Sequence, residues 1–102
     1  MNLERLSAGR YQLSGDVGFD SALTTRKLVE EALDAEEEKL DLVLAQTQGN
    51  SVLVALMMGW FRYAHDHEKE IAYLEVPDRI SQMIEFSGLD DVLPLANGGQ
   101  AS

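Results

Sequence analysis

The sequence predicts an α/β domain, a single mixed and mostly parallel sheet with helices packed on it. Three observations predict it. Short runs of strand character alternate with longer runs at helical spacing, the pattern of parallel strands joined by right-handed crossovers. The chain has 102 residues and no cysteine, and about 100 residues suffice for one core without disulfides or metals. No repeat or linker divides it, so one domain over 1–95 is expected. A tail over 96–102, with no apolar anchor from Asn97 to Ser102, should be disordered.

Each element has its own signal. Asn2 to Leu6 is a weak first strand. Arg10-Tyr11-Gln12-Leu13 alternates polar and apolar residues as a half-buried strand does, and Ser14-Gly15-Asp16 reads as its closing turn. Leu23, Leu28, Ala32 and Leu33 then recur at helical steps, with Asp20 or Ser21 available as N-cap. That helix should run to about Glu36, where Glu36-Glu37-Glu38 opposes the macrodipole and frays the last turn. Leu40 to Leu44 has strand length and composition, and Gln46-Thr47-Gln48-Gly49-Asn50 reads as a polar loop. Ser51 to His67 is a helix with few polar residues. Ile71 to Val76 is the next strand, and Pro77-Asp78 opens a short amphipathic helix, Arg79 to Phe86, ended by Ser87-Gly88. Leu89 to Leu95 is a short closing strand.

Charge and composition exclude several functions. Eight basic against 18 acidic residues give a net charge of −10, and no Lys/Arg cluster locally reverses that sign, so direct nucleic-acid binding is not expected. Without cysteine there is no thiol catalysis, disulfide scaffold or Cys-ligated zinc. No run of about 18 apolar residues occurs and Met1 to Arg10 lacks the order of a signal peptide, which predicts a soluble cytoplasmic protein that does not itself enter the membrane.

The chemistry-bearing residues do not assemble a catalytic set. No phosphate-binding loop, Walker lysine or nucleophile elbow is present. His65 and His67 are two residues apart, about 200° around a helix, whereas helical metal pairs sit at i, i+3 or i+4. A Ser-His-Asp hydrolase would need Ser51 beside one of these histidines, yet they lie about 20 Å along the same helix. Glu36 to Glu38 lacks the alternating ligands and central glycine of a calcium loop. No catalytic residue, metal or cofactor is therefore expected.

The helix from Ser51 carries the sharpest signal. Leu53, Leu56, Met57, Trp60 and Ala64 form one stripe, which must face the sheet. Ser51, Val54, Ala55, Met58 and Arg62 form a second stripe, roughly opposite the core, in which three residues are apolar where solvent would favour polar ones. Such a strip beside a helix N-terminus marks a protein contact. Ser51 and Asn50 are both candidate N-caps, and the exposed N–H groups of the first turn could also receive a phosphate or a partner's carboxylate.

Several of these segments resemble the STAS domain, the fold of anti-sigma factor antagonists and of the cytoplasmic domains of sulfate transporters. Leu13-Ser14-Gly15-Asp16 looks like that family's Leu-x-Gly-Glu/Asp strand end, and Leu40-Asp41-Leu42 like its Leu-Asp-Leu-Ser strand. Asn50-Ser51-Val52-Leu53 sits where the family has Asp-Ser-Ser-Gly-Leu, with Gly49 in place of the acidic residue. The Leu-Glu-Val-Pro strand and Phe86-Ser87-Gly88-Leu89-Asp90 extend the likeness to about residue 95. Among STAS proteins, small acidic chains with Asn-Ser in this loop and Met-Gly-Trp in the next helix are most similar to the MlaB, or toluene-tolerance, subgroup.

That resemblance implies a non-enzymatic accessory subunit that binds the ATPase of a bacterial phospholipid ABC transporter, held at the inner membrane through its partner. Gln48, Gly49, Asn50, Ser51, Val54, Ala55, Met58 and Arg62 would form the partner face. An anti-sigma factor antagonist phosphorylated on Ser51 is the alternative it implies.

Overall fold

The computed structural model describes residues 2–95, so the tail expected over 96–102 lies outside the described residues. Four strands form one sheet in the order β1-β2-β3-β4: β1 Asn2–Ser7, β2 Arg10–Val17, β3 Lys39–Gly49 and β4 Glu70–Leu74. β1 pairs antiparallel with β2, and β2–β3 and β3–β4 are parallel. The crossovers are α1 (Ala22–Ala35) and α2 (Ser51–Asp66), and α3 (Asp78–Phe86) follows β4. This is the mixed, mostly parallel α/β domain expected from the order of segments.

Both crossover helices lie on one face of the sheet. Tyr11 and Leu13 on β2, Leu40, Leu42 and Leu44 on β3, and Ile71 and Tyr73 on β4 point into the core under them. The alternate residues Gln12, Ser14, Asp41 and Ala72 are half-exposed on the other face. α1 and α2 touch side by side: the Trp60 indole Nε1 donates to the Arg26 carbonyl at 3.3 Å, and the Tyr63 hydroxyl donates to Asp34 Oδ1 at 2.8 Å. Lys69 Nζ donates to the Leu33 carbonyl, placing a cation at the C-terminal end of α1, where the helix dipole favours one.

The sheet-facing stripe is as expected, with Leu53, Leu56, Met57, Trp60 and Ala64 all buried. Elsewhere local signals gave way to pairing. Ser14-Gly15-Asp16 is not a turn and Gln46 to Gly49 is not a loop. These stretches pair with each other in parallel, Ser14 with Gln46, Gly15 with Thr47, Asp16 with Gln48 and Val17 with Gly49. Each strand supplies the other's backbone partners despite the turn-like composition of both stretches, and the buried Thr47 hydroxyl donates to the Leu44 carbonyl at 2.7 Å.

Smaller corrections follow the same logic. Leu23 is 58% exposed and the buried face of α1 is Thr25, Val29, Ala32 and Leu33. Ser21 occupies the N-cap position without a side-chain cap bond; its hydroxyl instead accepts from the Gly18 N–H. Glu36 ends α1 but is held there, accepting from the Tyr11 hydroxyl at 2.8 Å with the Arg5 guanidinium 3.7 Å away. β4 stops at Leu74, before Glu75 at φ 53°. The closing segment makes one parallel bridge, Tyr73 with Leu95, in place of a strand.

α3 ends in a Schellman turn. Gly88, at φ 74°, donates to the Glu85 carbonyl and Leu89 donates to the Ile84 carbonyl, both at 3.0 Å. The turn sends the chain back over α2, where Leu89 and Leu93 pack on the core while Phe86 is left outside.

Trp60 is wholly buried and also hydrogen-bonded, so Trp60→Ala should cost about 3–5 kcal/mol, read as a lower denaturation midpoint. Tyr73 is a second test. Burial raises its phenol well above the ordinary value of 10.0, so the fold favours the protonated form. Its contribution is complete below about pH 10 and is lost as pH rises beyond that. Tyr73→Phe should lower stability by about 1 kcal/mol at neutral pH and weaken the alkaline loss, both measurable by denaturant titration across pH.

Candidate functional site

α2 begins where β3 ends, and the junction is tight. Asn50, not Ser51, is the N-cap: its Oδ1 accepts from the Val52 N–H at 2.9 Å and its carbonyl accepts from Leu53. Ser51 is thereby the first helical residue, exposed, its hydroxyl without a hydrogen-bond partner among the described residues. The two candidate caps of the sequence are separated in this way, because only one side chain can fold back over the first turn.

Gly49 is closely packed. A Cβ there would lie 3.0 Å from Leu53 Cβ and 3.1 Å from Leu53 Cδ2. Leu53 is fully buried and its Cβ moves only with the helix backbone. The acidic residue that the STAS resemblance places at this position would therefore require Leu53 to give way by a few tenths of an ångström.

The expected partner face is split among three concavities. Gln48, Gly49 and Asn50 open on a depression of about 680 Å³ at the C-terminal ends of β2 and β3, bordered also by Asp16, Asp20 and Arg79, with Phe19 projecting beside it at 84% exposure. Ser51, Val54, Ala55 and Met58 instead form one wall of an apolar groove of about 420 Å³ between α2 and α3. Arg62 stands farther along, in a neighbouring concavity of about 280 Å³ lined also by Phe61, His65 and Val92 and sharing Met58 with the groove.

Val54 departs from expectation. It is 7% exposed and belongs to the core. α3 and the turn after it pack beside the face of α2 that the helical wheel leaves bare, so Val54 is the floor of the groove rather than a projecting contact. Met58 is half-buried and also packs on the core, whereas Ser51, Ala55 and Arg62 are exposed.

The far wall was missed by sequence reasoning. Met83, Phe86, Ser87 and Leu89 form it, and Phe86 is 97% exposed, the most exposed large apolar side chain among the described residues. A signal was available: Phe86 is the last apolar residue of an amphipathic helix, directly before a Ser-Gly stop. An aromatic ring left in water at the lip of an apolar groove is what an unfilled protein contact looks like.

No group of three or more metal-ligating side chains is assembled among the described residues. His67 stacks on Tyr63 with ring centroids 4.1 Å apart, and its Nδ1 lies 2.8 Å from the Tyr63 carbonyl, so a local helix-end contact holds it. No described helix is long and apolar enough to cross a membrane.

No protein-family model matches the sequence, and no curated protein matches it. Among solved structures, the anti-sigma factor antagonist SpoIIAA in its unphosphorylated form superposes with a TM-score of 0.69, covering 95% of this chain and 86% of that one at 16% identity. The fold is therefore the STAS fold, as the resemblance of the segments implied.

Restoring a carboxylate in the loop should be disruptive. Gly49→Asp must displace Leu53 and the start of α2, and is expected to lower stability by about 1–3 kcal/mol, read from the shift in denaturation midpoint. An unchanged midpoint would show that the junction relaxes without cost.

Proposed function

We propose that this chain is a non-enzymatic STAS-fold subunit that docks through the α2/α3 groove on the ATPase of a bacterial phospholipid ABC transporter and regulates or stabilises it. The observation that carries the docking is the groove, with Val54 at its base, Ala55 and Met58 on one side and Met83, Phe86 and Leu89 on the other. Removing such a surface from water favours association in proportion to the apolar area covered, and an exposed aromatic at the lip is a typical anchor. The identity of the partner rests on the sequence, on the Asn50-Ser51 junction and the Met58-Gly59-Trp60 segment that resemble the MlaB subgroup. On this reading the protein works in the cytoplasm, at the inner membrane through the ATPase, and needs no cofactor. Its net charge of −10 disfavours nucleic acid as a partner.

A second reading has its own support. Ser51 presents an exposed hydroxyl, unbonded among the described residues, at the positive end of α2, a favourable place for a phosphate, and the fold is that of an anti-sigma factor antagonist. In that case an anti-sigma kinase would transfer one phosphate to Ser51. The crowding of Gly49 against Leu53 weighs against it, since the kinase-regulated members that the chain resembles usually carry an acidic residue there.

Phe86→Asp is the cleanest test, because a side chain 97% exposed contributes little to folding. Its stability should stay within about 0.5 kcal/mol of the wild type, while calorimetry against the transporter ATPase should show binding weakened by at least about tenfold. Met58→Asp should weaken binding as much, with some loss of stability because Met58 also packs on the core. A folded Phe86→Asp protein that binds as the wild type does would refute the groove as the docking face. Phosphorylation by an anti-sigma kinase, abolished by Ser51→Ala, would favour the second reading.

A further inference from the structure

The groove and the neighbouring concavity follow α2 from Ser51 to His65, about 21 Å at roughly 1.5 Å per residue. Both walls are built from helices and the turn after α3, and neither concavity is lined by a residue of the four strands. An added strand would thus find no main-chain ladder here, whereas a helix can lay side chains at i, i+3, i+4 and i+7 between the walls.

The two sides of this trough also differ in charge. Arg62 is exposed on the α2 side. Asp90 and Asp91 are exposed on the opposite side, between the lining residues Leu89 and Val92. Arg62 pairs with neither aspartate, and none of the three has any ion-pair partner among the described residues. A cation on one side of the apolar surface and two carboxylates in the chain segment that borders the other side, all exposed and unpaired among the described residues, are free to be neutralised by a partner laid along it.

Resting on the docking reading above, we infer that the groove takes a single amphipathic helix of the ATPase, about four turns long, with a carboxylate on the flank facing Arg62 and a Lys or Arg on the flank facing Asp90 and Asp91. Its apolar stripe covers Ala55, Met58 and Phe86. The flanking charges set its orientation, much as charges beside an apolar seam set partner choice in coiled coils. A second copy of this chain is a poor occupant, since it would bring two surfaces of net charge −10 together.

The experiment uses the full chain and the purified transporter ATPase. The Asp90→Lys/Asp91→Lys double variant and Arg62→Glu should each weaken binding about tenfold at ~50 mM salt and less than about threefold at ~500 mM, because rim charges are screened over a few ångströms at high salt. Hydrogen exchange on the ATPase should show protection in one continuous segment of about 14 residues whose apolar residues recur at helical spacing. Wild-type affinity of the aspartate double variant at low salt, with Phe86→Asp still defective, overturns the charge-flanked helix and leaves the docking reading standing. Protection scattered over several separate ATPase segments overturns the single helix in the same way. Failure of the wild-type chain to bind the ATPase at all overturns both.

Discussion

The rotation of α2 about its own axis decides what this protein can present, and two hydrogen bonds to neighbouring elements fix that rotation. The Tyr73 hydroxyl, on β4, donates to the Met57 carbonyl at 2.6 Å in the middle of α2. Both residues are fully buried, so leaving the hydroxyl unpaired would cost the desolvation of a polar group with nothing in return. Turning α2 by even one residue would break that bond and carry Trp60 out of its contact with the Arg26 carbonyl. The helix is apolar on more than one face, and hydrophobicity alone would let it settle in several orientations. Two directional bonds to fixed neighbours select one of them.

With α2 held, the rest of the site follows from how the chain returns after β4. The Schellman turn at Gly88 reverses the chain so that Leu89 and Leu93 fold back toward α2. The Tyr73 N–H donates to the Pro94 carbonyl, tying this return segment to the strand that also anchors α2. The groove is thus framed by parts that all refer to one residue: α2 through the Tyr73 hydroxyl, the return segment through its backbone. Val54, Met58, Met83 and Leu89 tie its walls to the core, while its lip, Phe86, is exposed. A preformed groove with an exposed side chain at its lip needs little ordering when it is covered.

The junction of β3 and α2 shows how steric and electrostatic demands separate neighbouring residues. Gly49 is packed closely against Leu53, the Asn50 carboxamide oxygen is committed to capping, and Ser51 is left with an exposed hydroxyl. Three adjacent residues of similar polarity therefore have three different fates. Ser51 keeps its hydroxyl available to a partner or a modifying enzyme, while the acidic surroundings of the 680 Å³ depression, with Asp16 and Asp20 beside Arg79, belong to the β-strand ends and not to the groove.

The amino-acid sequence by itself determined the order of strands and helices, the buried stripe Leu53, Leu56, Met57, Trp60 and Ala64, and the presence of a second apolar strip on the same helix. These are properties of periodicity, which is written locally along the chain. The tertiary structure alone decided that Ser14 to Asp16 and Gln46 to Gly49 are strand, because their hydrogen-bond partners come from each other across some 30 residues. It decided likewise that Val54 is covered, and that Met83, Phe86 and Leu89 face it. A helical wheel shows which residues share a face, but whether that face meets solvent or another element depends on where a distant segment comes to rest. For this protein that segment is α3 with its return turn, and its packing beside α2 converted a bare apolar strip into a groove.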